Sequence, residues 1–409
     1  MTAIVFNVVF FTLFFIYLLI KRKGIDSSVV LLFLYLVVSI CGIFYYLGLS
    51  SVKTSVVYSV YFCLICTLYF YPIISKRSLT CKGVEVKRTN GLIWIVQVYT
   101  FLSLVVIYDL IQMLTIMLAN GNWATMKADA YNGDIVYNSS LFLIFARFYV
   151  DYFRLVIVLY AFYLLTQKGS SFYYCIFLLI IGILPNLLTC LVYVYRGGLL
   201  VLTLSVLCSF LLFKKQLPQL VKKRIYFFFS ICAILFSILI IGITLSRFDT
   251  HSSDSIVDYL GQSMVEYNYG IAVPIHSYAN GKYFFSSLLN LRIEQICIDS
   301  LYGISTSNGG ALDTFVGCLV LDFGFILGLA IALFFFILLR FIFCKRKCDF
   351  ADAYLYMFYL EFLILGVFHA TTGFALNCIL TLLVYAVLKT LNRNIKTNYK
   401  IKRFKTCLQ

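Results

Sequence analysis

Three ionisable residues, Arg147, Asp151 and Arg154, interrupt an otherwise apolar run from Leu141 to Leu165. Their spacing is i, i+4 and i+7, so a helix places all three on one stripe. Each such residue costs roughly 2.5 to 3.5 kcal/mol near a bilayer centre, so the stripe must face protein, water or a charged ligand. Two arginines and one aspartate also leave one positive charge over, which asks for an anion. The competing reading is an internal salt bridge that fixes helix packing. Asp322 and Glu361, each near the middle of its own apolar run, are candidate partners for it.

The rest of the chain supplies the setting for that stripe. Of its 409 residues 62% are hydrophobic and 12% charged, against about 25% charged in an ordinary soluble domain. The composition specifies an all-α polytopic membrane protein forming one helical membrane domain over residues 1–409. Under the rule of roughly twenty apolar residues per crossing we count about eleven spans. They are 3–20, 28–47, 55–74, 91–118, 141–165, 172–193, 199–213, 225–245, 312–339, 351–368 and 374–388. The first has no basic segment before it and no small-residue cleavage site after it, so it reads as a retained helix.

A net charge of +16 is of the size that suits a nucleic-acid partner, but its distribution argues otherwise. Basic residues cluster at alternate span ends: Lys21 to Lys23, Lys76 to Arg88, Lys168, Lys214 to Arg224, Arg340 to Lys347, and a tail over 389–409. By the positive-inside rule these ends are cytoplasmic, which puts the N-terminus outside and the C-terminus inside. Two outside connections are long, 119–140 and 247–311. The second, at about sixty-five residues, is too long for a structureless link. It contains Asp254 to Tyr267, whose apolar spacing predicts a short amphipathic helix at the membrane surface, so the loop reads as a folded lid.

Outside the cytoplasmic clusters the basic residues are Lys53, Lys127, Arg147, Arg154, Arg196, Arg247, Lys282 and Arg292. Arginine predominates among them, and its planar fork matches phosphate oxygens and keeps its charge when desolvated. Arg196 lies in Tyr195-Arg196-Gly197-Gly198, where the glycines permit a sharp reversal and a close backbone approach to a ligand. Arg247 follows the eighth span. Snorkelling to lipid phosphates is the alternative for both. Outside acid or base candidates are His276, His369, Asp254, Asp258, Glu266, Glu294 and Asp313. The fourteen cysteines lie mostly in spans or beside cytoplasmic clusters, so Cys63 with Cys66 reads as packing. No nucleotide-binding glycine loop and no zinc pattern is present, and no cofactor or metal is expected. We find no internal repeat of the kind that marks inverted-repeat transporters.

On this architecture the chain resembles the bacterial O-antigen polymerases, the Wzy or oligosaccharide repeat unit polymerase family. The resemblance rests on ten to twelve helices, one large periplasmic loop in the second half, and periplasmic arginines. The Tyr-Arg-Gly-Gly turn at Arg196 also resembles the family's arginine–glycine turn. So do Thr314-Phe-Val-Gly317 and Asp322-Phe-Gly-Phe-Ile-Leu-Gly328, which follow the long loop. Arg247 or Arg292 would supply a second periplasmic arginine.

The resemblance implies a GT-C-like glycosyltransferase in the bacterial inner membrane, with its active site facing the periplasm. Its substrates would be undecaprenyl-diphosphate-linked oligosaccharides, and a chain-length regulator protein is a possible partner. Arg196, Arg247, Arg154 and Arg147 would then hold the diphosphate, Asp151, Asp322 and Glu361 would belong to the charge network, and His276, Glu266 and His369 would be the acid or base candidates. A lipid-linked oligosaccharide flippase and an O-antigen ligase are the alternatives.

Overall fold

The structure, a computed structural model, describes residues 1–22, 24–49, 52–75, 90–119, 140–167, 169–193, 196–228, 256–289, 314–343, 349–368 and 374–406, with positions 84, 230, 296 and 300 between them. Among these residues the chain is an all-α membrane protein. Its long helices are α1 (Thr2–Arg22), α2 (Ser27–Gly48), α3 (Val56–Ile74), α4 (Asn90–Ala119), α5 (Leu141–Thr166), α6 (Phe172–Val192) and α7 (Arg196–Phe213). After these come α8 (Ile256–Glu266), a π-helical segment (Tyr267–Ala272), α9 (Thr314–Phe343), α10 (Phe350–Leu365) and α11 (Phe374–Thr406).

Six helices among the described residues, α1, α2, α3, α4, α6 and α9, are long and apolar enough to cross a bilayer. The other expected spans that can be compared differ for physical reasons. Helix α5 is as long as these six, but its three charges set it apart in composition. Helix α7 and the apolar part of α11, Ala375–Leu391, are short. Most of the expected span 225–245, together with Arg247, lies outside the described residues.

The helices form two compact units. Residues 1–77, 252–346 and 359–379 make the first, and 78–251, 347–358 and 380–409 the second. Inside the first unit Phe11, Tyr35, Phe62 and Phe70 form a buried aromatic cluster, with Tyr35 and Phe70 at 4.8 Å between ring centroids. The Tyr35 hydroxyl donates to the Leu363 carbonyl at 3.0 Å. Such contacts matter because apolar surface gains nothing from leaving lipid, so packing and hydrogen bonds must hold the helices together.

The turn between α1 and α2 is fixed by charge. Asp26 caps α2 through the backbone N–H groups of Ser28 and Val29, and it pairs with Arg22 at 3.5 Å. Arg22 also donates to the Ile74 carbonyl at the end of α3. Cys63 and Cys66 are buried free thiols on α3.

The expected amphipathic helix exists as α8. It packs along α2, with Gly261, Ser263, Met264, Val265 and Glu266 buried. Gly261 allows this approach: a Cβ there would run into the Cys41 carbonyl and sit 2.5 Å from the Gly42 nitrogen.

In the second unit α4 to α7 pack as a bundle in which Gly182 of α6 meets Val158 of α5, a close small-residue contact of the kind membrane helices favour. The Tyr354 hydroxyl of α10 donates to the Tyr152 carbonyl at 3.3 Å. At the start of α10, Lys389 pairs with Asp349 at 2.6 Å and with Asp352 at 2.9 Å.

Candidate functional site

In the second unit the stripe forms as its spacing requires. Arg147, Asp151 and Arg154 stand on one unbroken helix, α5. Arg147 pairs with Asp109 of α4, a carboxylate that sequence reasoning passed over. At about 1.5 Å per residue, Arg147 lies about 9 Å along α5 from Leu141, and Asp109 about 15 Å along α4 from its Ala119 end.

Asp109 corrects the charge count, because it cancels the positive excess assigned to the stripe. Two arginines now face two aspartates. Asp151 is exposed on the α5 surface within electrostatic reach of both arginines. Arg154 is half-buried, within similar reach of Tyr99 on α4 and Cys190 on α6. The signal that would have found Asp109 is the rule applied to its neighbours: an ionisable residue inside an apolar span needs a stated partner.

Arg196 belongs to the same unit and is the first residue of α7, so the Arg-Gly-Gly motif is the opening turn of a helix. The first backbone N–H groups of a helix have no acceptor within it. Gly197 and Gly198 put no side chain over them.

The first unit holds the acid and base candidates that are described. Glu266 ends α8, where the helix widens into the π-segment. Its Oε1 accepts hydrogen bonds from the Tyr269 hydroxyl at 3.1 Å, the Tyr45 hydroxyl at 3.2 Å and the Gln262 amide at 3.4 Å. Burial first, and then the Glu266 charge, push the Tyr269 hydroxyl up to about 12, so it remains a proton donor at neutral pH. The π-segment is pinned by Asn268, whose amide exchanges two 2.8 Å hydrogen bonds with the Ser55 backbone. Single π-turns of this kind recur at functional sites.

His276 is exposed, and its backbone N–H donates to the Ser300 carbonyl at 3.2 Å. Glu361 is half-buried on α10. His369, Arg292, Glu294, Asp254 and Asp313 lie outside the described residues, as does the Arg247 position noted above; Asp258 is on α8.

Asp322 occupies a break in α9 that the sequence did not reveal. Gly324 has φ 71° and ψ −176°, which interrupts the helix. The segment after the π-helix fills the gap: the Ala279 and Asn280 N–H groups donate to the Leu321 and Asp322 carbonyls at 2.9 and 2.8 Å. The Asp322 carboxylate in turn accepts from the Tyr283 and Phe284 N–H groups at 2.9 and 2.6 Å. The Tyr61 hydroxyl closes the far side by donating to the Phe325 carbonyl at 2.8 Å. Irregular backbone at membrane depth is tolerated only when satisfied in this way. Part of the expected outside lid is therefore inserted into a helix, and Asp322 holds it there.

No family model matches the chain, and neither a curated protein nor a solved structure matches it. Among the described residues no group of His, Cys, Asp and Glu side chains is arranged to hold a metal ion.

Proposed function

We propose that this chain is a membrane-embedded glycosyltransferase that polymerises undecaprenyl-diphosphate-linked oligosaccharide repeat units into O-antigen or a related surface polysaccharide. It works at the periplasmic face of the bacterial inner membrane. The observation that carries this reading is the opening turn of α7. An anion is favoured at the positive end of a helix dipole, and α7 begins at Arg196. Backbone N–H groups bare of side chains at that end suit a phosphate group.

In the reaction, a hydroxyl of one lipid-linked repeat unit attacks the anomeric carbon of the growing chain. A glycosidic bond forms, the bond from that carbon to the diphosphate oxygen breaks, and undecaprenyl diphosphate leaves with the electron pair while a general base, for which His276, Glu266 and His369 are the candidates, takes up the hydroxyl proton. Fixed cations at the departing diphosphate stabilise charge that develops in the transition state. Arg196 and Arg247 take this role, with Arg154 extending the basic lining, while Arg147 is committed to Asp109.

Arg196→Ala abolishes polymer and leaves single capped repeats, and Arg196→Lys is impaired because it lacks the fork. Normal polymer length in Arg196→Ala would sink the assignment. The second reading is a transporter of lipid-linked oligosaccharides. It is favoured by the broken helix α9, since discontinuous helices form transporter binding sites. Translocation of a labelled lipid-linked unit without chain growth would select it.

A further inference from the structure

The Glu266 carboxylate is held asymmetrically. Among the described residues its three hydrogen bonds all go to Oε1, from Tyr45, Gln262 and Tyr269. Among the described residues Oε2 receives no donor, and it is not one of the sealed polar atoms of the interior, although Glu266 as a whole is only 9% exposed. Oε2 lies over Gly270, where a Cβ would come within 2.7 Å of it. One oxygen is thus anchored by three donors, and the other lies against Gly270, where any side chain would displace it.

An ionised carboxylate only accepts hydrogen bonds, so the open oxygen suits a ligand that brings donors. No lysine or arginine pairs with Glu266 among the described residues, and the neighbouring groups are tyrosines and a glutamine amide. That lining is neutral and amphipathic, which suits a hydroxyl-bearing ring better than a cation.

We propose that Glu266 is the hydroxyl-binding residue of a glycan subsite in the first unit, with Oε2 accepting from a sugar hydroxyl and Tyr45, Gln262 and Tyr269 as positioning residues. The choice of a glycan among hydroxyl-bearing ligands rests on the polymerase reading. The site itself rests on the geometry of the carboxylate.

The test uses the full chain in lipid nanodiscs. The probe is the repeat-unit oligosaccharide released by mild acid from the lipid-linked pool of the producing strain, with binding measured by titration calorimetry. Glu266→Gln keeps an Oε1 acceptor for the same three donors but loses the charge, and it weakens binding about ten-fold or more. Gly270→Ala weakens binding in the same direction, because the new methyl group displaces only the tip of a side chain and the fold absorbs it.

A readout on the unmutated protein needs no variant: bound oligosaccharide slows carbodiimide modification of Glu266, followed by peptide mass. Absence of protection overturns the site, as does unchanged binding in both folded variants. Binding and protection in a chain that does not extend lipid-linked units would overturn the polymerase reading and leave the glycan site standing.

Discussion

Replacing Gly324 by alanine tests the break in α9, because two separate costs fall on one added methyl group. The backbone at φ 71° and ψ −176° lies in a region open essentially to glycine, which costs an L-residue about 1 to 3 kcal/mol. The new Cβ also comes within 2.6, 2.8 and 2.9 Å of three Tyr278 ring carbons, and overpacking of that kind costs about 1 to 3 kcal/mol. Tyr278 is 47% exposed and can swing aside, which puts the second cost at its lower end. The sum is about 2 to 4 kcal/mol.

The assay is reversible unfolding in mixed micelles, comparing wild type, Gly324→Ala, and Gly324→Ala combined with Tyr278→Ala. The double variant recovers the clash, about 1 kcal/mol, and keeps the backbone strain. A Gly324→Ala protein within about 0.5 kcal/mol of wild type would refute the reasoning. It would mean that α9 runs straight through residue 324 and that residues 279–284 are not anchored there.

Other perturbations separate structural charges from functional ones. The charge swap Asp109→Arg with Arg147→Asp restores the folded yield lost in either single variant and retains polymer, as expected of a structural pair; yield restored with no polymer would assign Arg147 to the diphosphate. Gly261→Ala drives α8 off α2 and costs about 1 to 3 kcal/mol, whereas Gly42→Ala, whose Cβ meets only ordinary contacts from 3.4 Å outwards, is neutral or slightly stabilising; equal effects in thermal unfolding would contradict the packing described. Burial would raise the Asp349 carboxyl, but hydrogen bonds from Lys389 and the Asp352 backbone outweigh it and hold the group below the ordinary carboxylate value. With its folded value depressed, its contribution is full above about pH 4 and is lost as pH falls through the folded value. The stability gap between wild type and Asp349→Asn is therefore present at pH 7 and closes in acid; a gap that widens in acid would reverse the assignment.

Much of the helical layout was legible because lipid demands long apolar runs, and spans such as 28–47 and 172–193 lie within about two residues of the observed helix ends. The stripe on α5 was legible because its charges share one helix face. The partner of Arg147 was not, since Asp109 sits on a preceding helix and pairing depends on which helices are neighbours. The break at Gly324 is hidden because a lone glycine in an apolar run does not by itself mark a break; Asp322 beside it marked the position as one needing a partner, but its partners are backbone N–H groups of a loop about forty residues earlier. The burial of α8 depends on Gly261 meeting Cys41 and Gly42, which are remote in sequence, and amphipathic spacing alone does not distinguish a lipid surface from a neighbouring helix. Glu266 was singled out by residue type, but the asymmetry of its two oxygens exists only in the folded site.

The most direct test of the account is chain growth by the purified protein in proteoliposomes, given only undecaprenyl-diphosphate-linked repeat units. A polymerase gives a ladder of lengthening glycans with one undecaprenyl diphosphate released for each unit added, and no ladder with Arg196→Ala. Units that cross the bilayer unextended, or that remain unchanged with the wild-type protein, would contradict it.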